Sequence, residues 1–97
     1  MRRTKTDKVK AQDFLATLER NLNDAGKENT ELRAERFEAV RLLGAFELTH
    51  SPLTEGYYDK VKEMKSNISE IEFRYNISNM RVANIKGAIR RLKEIVI

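Results

Sequence analysis

A four-three apolar repeat runs almost unbroken from Tyr57 to Val96 and constrains the fold more than any other feature of the chain. Tyr57, Val61, Met64, Ile68, Ile71, Tyr75, Ser78, Val82, Ile85, Ile89, Leu92 and Val96 follow at alternating steps of four and three, which keeps them on one stripe of an α-helix. Ser78 alone breaks the apolar character. A stripe this long and narrow has to be covered by other helices, so the apolar members from Val61 to Leu92 are the candidate oligomer seam.

Composition supports helices throughout. Of the 97 residues, 35% are charged and 7% aromatic, with one proline and four glycines, which suits long solvated helices rather than sheets or disorder. The expected fold class is all-α: one helical domain over residues 1–97, with a helical segment over about 6–49, a turn at 50–55 and a long helix over about 55–96. Gly87 weakens that last helix without ending it, and its length comes to roughly 60 Å.

Ser51 and Pro52 read as the N-cap and first helical position of the long helix, with Thr54 as an alternative start. In the first half, Phe14, Leu15, Leu18, Leu22 and Ala25 give one apolar stripe, and Leu32, Phe37, Val40, Leu43 and Phe46 a second. Between them, Gly26 and Asn29 or Thr30 have the residue types of a helix stop and start. Lys27 and Glu28, as good helix formers, allow the segment to run through instead. The two readings are a long antiparallel helical hairpin and a three-helix bundle.

Folding back at Pro52 favours the hairpin, because it sets Ser78 and Tyr75 level with the polar Lys27 and Thr30. It also places Val61 beside Gly44 and Ile68 beside Phe37. Tyr75 and Ser78 then form a polar layer of the kind that fixes helix register. Further apolar residues lie off the seam: Phe73, Ile77 and Met80 on another face of the last helix, Ile95 and Ile97 at its end, and Leu42 and Leu48 before the turn. One partner helix cannot cover all of these, so the expectation is a homo-oligomer, a four-helix assembly of two hairpins, with Phe73, Ile77 and Met80 as a surface for a protein partner.

Charge is uneven. Residues 1–10 carry Arg2, Arg3, Lys5, Lys8 and Lys10 against Asp7, and residues 81–97 carry Arg81, Lys86, Arg90, Arg91 and Lys93 against Glu94; each segment nets +4. A hairpin would bring the two together, so Arg2, Arg3, Lys5, Arg90, Arg91 and Lys93 are candidate contacts for nucleic acid. No zinc finger, RRM-type motif or interleaved aromatic accompanies them, so the expected binding is non-specific.

The residues offer no catalytic constellation. With no cysteine and one histidine, His50, neither a Cys/His metal cluster nor a nucleophile-histidine pair of the usual kinds is expected, and the dispersed glycines form no phosphate loop. No cofactor is expected. The basic first residues lead into a polar stretch and not a signal sequence, and no stretch approaches a membrane span, so the expected location is cytoplasmic. The sequons at Asn67 and Asn76 fall within the helical repeat and read as coincidence. The expected function is that of a non-enzymatic helical adaptor, assembly factor or inhibitor, the alternative being a nucleic-acid-associated protein.

Overall fold

The computed structural model describes the backbone of residues 5–96 and the side chains of residues 8–95. Among the described residues the only regular elements are two helices, α1 over Lys5–Thr49 and α2 over Tyr57–Val96. The three-helix alternative is therefore not realised: α1 passes without interruption through Asn23–Thr30. Helix-forming neighbours and a continuing buried stripe outweigh the roughly 1 kcal/mol that an interior glycine costs.

Between the helices the chain makes local turns. Ser51 does not cap α2: its Oγ accepts the Leu53 N–H at 3.2 Å and its carbonyl accepts the Thr54 N–H at 2.9 Å, a turn that closes around Pro52. Helix α2 begins only after Gly56, whose φ of +79° needs a residue without a Cβ. The Gly56 carbonyl then accepts the Lys60 N–H at 3.0 Å, the first bond of the helix. At the end of α1, Thr49 Oγ1 donates to the Ala45 carbonyl at 2.8 Å and the His50 N–H to the Phe46 carbonyl at 3.0 Å.

The chain divides into two compact units. One, residues 29–77, is a helical hairpin built from the last part of α1, the turns and the first part of α2. Its strands of helix run antiparallel, held by Arg36 Nε to Glu72 Oε1 at 3.2 Å and Arg74 Nη2 to Glu35 Oε1 at 3.1 Å. Beside the turn, the Phe46 ring stacks on His50 at 4.1 Å and on Tyr57 at 5.5 Å, with Tyr58 meeting Tyr57 edge-on. The fold-back is centred nearer Thr54 than Pro52, as the Glu35–Arg74 and Arg36–Glu72 pairs require. Leu32 and Ile71 are its buried apolar side chains.

The other unit joins residues 1–28 to 78–97 and packs the first part of α1 on the last part of α2. Ala25 and Ile89 are buried there with Ser78, and Arg81 Nη1 meets Glu28 Oε2 at 3.4 Å. Every buried side-chain nitrogen or oxygen among the described residues has a hydrogen-bond partner, so Ser78 sits in the seam without an orphaned hydroxyl.

Candidate interaction surfaces

In α2 the four-three series is the covered stripe. Tyr57, Val61, Met64, Ile68, Tyr75, Val82, Ile85 and Leu92 are half-buried, and Ile71, Ser78 and Ile89 are buried. Val96 lies outside the described side chains. The periodicity thus locates the face that α2 turns toward α1 within each unit.

Helix α1 answers with a seam that takes Leu15, Leu18, Leu22, Ala25, Leu32, Leu43 and Phe46 from the expected apolar stripes and adds positions that apolar counting misses. Ala11, Leu15, Leu18, Leu22, Ala25, Asn29, Leu32, Ala39, Leu43 and Phe46 are its covered positions, at the same alternating spacing once Arg36 is allowed to fill the place between Leu32 and Ala39. Phe14, Phe37 and Val40, expected on the apolar stripes, stand exposed instead, Phe37 at 72%. The expected Ile68–Phe37 and Val61–Gly44 neighbours fail with them, since Gly44 is exposed as well. Small and polar residues hold the seam here: Ala25 and Ala39 present one methyl each, Asn29 is half-buried, and Arg36 reaches sideways to Glu72. The spacing itself, continued through non-apolar residues, was the signal that identifies them.

Off the seam, large apolar side chains face outward. In the hairpin of residues 29–77 these include Phe37, Val40, Leu42, Leu48, Leu53, Tyr58, Phe73 at 66% and Ile77 at 49%. Met80, three residues beyond Ile77 on α2, belongs to the other unit and is also exposed, with Val9, Phe14 and Ile95.

Acidic residues Asp24, Glu28, Glu31, Glu35 and Glu38 recur at steps of four and three on α1. Glu28 and Glu35 use theirs to reach α2, and Glu38 pairs with Arg41, whose guanidinium Nε lies 3.0 Å from Glu38 Oε2. That hydrogen bond, with the attraction of the same guanidinium, holds the Glu38 carboxyl below the ordinary glutamate range. Among the described residues no group of three or more Asp, Glu or His side chains is arranged to hold a metal.

Lys8, Lys10, Lys86, Arg90, Arg91 and Lys93 are exposed within the same compact unit, and Arg81 of that unit is tied to Glu28. Arg2 and Arg3 lie outside the described residues, and Lys5 opens α1 with its side chain outside them. None of the described helices is long and apolar enough to cross a membrane. No protein-family model, curated protein or solved structure matches the chain.

Proposed function

We propose that this is a non-enzymatic helical interaction protein of the cytoplasm, which pairs with a second copy of itself as a four-helix assembly and binds another macromolecule as an adaptor, assembly factor or inhibitor. The observation that carries this reading is the imbalance in residues 29–77, where two apolar side chains are buried and eight large ones are exposed. Scattered exposed apolar residues are ordinary, but so many on so few residues exceed what a solvated hairpin needs.

Surface area supports the same reading. The chain exposes 7848 Å² at 11.3 kDa, whereas a monomeric protein of that mass exposes about 5,700 Å². The excess is well above the roughly 800 Å² each partner contributes to a standard interface. A second hairpin laid over the cleft between two paired helices would complete the burial of half-covered seam residues such as Val61, Met64 and Ile68.

Phe73 and Ile77, four residues apart on the side of α2 away from the seam, are the surface assigned to the protein partner. The test is an affinity capture from the native host using the wild-type chain and a Phe73→Asp/Ile77→Asp variant, both after nuclease treatment. The reading expects a stoichiometric protein on the wild type that is lost from the variant. Identical profiles on the two baits would remove this surface from the function.

A further inference from the structure

We infer that the last part of α2 binds the phosphate backbone of a nucleic-acid duplex through Lys86, Arg90, Arg91 and Lys93, without reading sequence. From Ser78 to the end of the chain α2 carries a single acid, Glu94, and its cations outnumber it five to one. Of those five, only Arg81 is in an ion pair; Lys86, Arg90, Arg91 and Lys93 are exposed and have no ion-pair partner among the described residues. Four cations without ion-pair partners, set against the single carboxylate of Glu94, leave the net positive potential that attracts a polyanion.

The usual local explanation covers one of them. Cations complement the helix macrodipole only in the last turn, and in α2 that turn holds Lys93 alone. Lys86, Arg90 and Arg91 lie too far up the helix for that role. Their arrangement instead suits a linear anion: Lys86, Arg90 and Lys93 repeat at steps of four and three, so they line one face over about 10 Å of helix. Arg90 and Arg91, together with the carboxylate of Glu94, also border a shallow depression of about 400 Å³ over Ala83, Asn84 and Gly87, where two cations outweigh one acid. At Gly87, apart from its chain neighbours and the helix's own backbone, nothing lies within 4 Å of the place a Cβ would take, so a phosphate can approach the helix beside Arg90 and Arg91.

Two alternative polyanions fit less well. A membrane-surface helix sets its cations beside an apolar face that enters the lipid; here the neighbouring apolar residues Ile85, Ile89 and Leu92 form the seam and are covered, Ile89 being buried. Single strands are held by aromatic side chains on which bases stack, and α2 has no aromatic residue after Tyr75. A duplex presents a charge about every 1.7 Å and asks for nothing but cations.

Fluorescence anisotropy of the full chain with labelled DNA duplexes of two unrelated sequences, titrated across salt concentration, tests the assignment. Both duplexes should bind with equal affinity, and the logarithm of the binding constant should fall against log salt with a slope of about −3.6 for four phosphate contacts. Arg90→Glu/Arg91→Glu should weaken binding at least tenfold, and Arg90→Gln/Arg91→Gln should lower the slope magnitude by about 1.8. Lys62→Glu, on α2 in the other unit, should leave binding unchanged, and circular dichroism should report wild-type helix content in every variant. No binding at low salt, equal affinity in the Arg90/Arg91 variants, or tighter binding to the single strand or to phosphatidylglycerol vesicles would overturn the proposal. An RNA duplex that competes as well as DNA would support recognition of the shared backbone.

Discussion

Ile71 and Phe73 are two residues apart, and the smaller of them is the one that is buried. Ile71 is 1% exposed and Phe73 is 66% exposed, because the four-three series puts the first on the seam and the second on the opposite side of α2. Burial therefore predicts what truncation does. Ile71→Ala should cost about 2–5 kcal/mol, the usual range for a buried aliphatic side chain, whereas Phe73→Ala should change stability by about 0.5 kcal/mol or less where the ring stays solvated. Urea denaturation of the two variants measures the difference. At this scale α2 was readable from sequence because all but one of its seam positions are apolar. The α1 seam was readable only in part, at Leu15, Leu18, Leu22, Ala25, Leu32, Leu43 and Phe46, because Asn29, Arg36 and Ala39 give no hydropathic contrast there, while the exposed Phe37 and Val40 do. Only the spacing survives such substitutions, and residue size misled.

The elements obey their pairing more than their local punctuation. Gly26 stood in a stretch with every residue type of a helix boundary, yet α1 passes through it. Gly56 closes the turn segment before Tyr57 and sets the start of α2, through a φ of +79° that sequence does not declare. Alanine substitution should separate the two cases. At Gly26, Gly44 and Gly87 nothing lies within 4 Å of a new Cβ, so each change to alanine should stabilise by roughly 0.5–1 kcal/mol. Gly56→Ala should destabilise, since the left-handed conformation costs a residue with a Cβ about 1–2 kcal/mol. Thermal melts should move upward for the first three and downward for the last. The pairing of α1 with α2 in the hairpin can be read from charge as well. Reversing Glu35 or Arg74 alone should lower the melting temperature slightly, and reversing both should restore it, because their ion pair bridges the helices at 3.1 Å. As an exposed pair it should show a coupling of about 0.2–1 kcal/mol in a double-mutant cycle.

For the molecule as a whole, charge and apolar surface are distributed unevenly over its two units. Residues 29–77 hold most of the exposed large apolar side chains, and the last part of α2, in the other unit, holds the cluster of Lys86, Arg90, Arg91 and Lys93. An all-helical chain with one long amphipathic repeat was legible from the sequence, whereas the choice between a hairpin and a three-helix bundle stayed open there because Gly26, Asn29 and Thr30 allow a break that α1 does not make. Which side chains a helix leaves uncovered depends on the register of its partner, and that is fixed by contacts between residues as distant as Glu28 and Arg81. Self-association is the proposal on which the functional reading rests. Sedimentation equilibrium of the purified chain over a range of micromolar concentrations tests it most directly. A self-associating chain gives a species of twice the 11.3 kDa chain mass, and a single species of one chain mass at every concentration would contradict self-association.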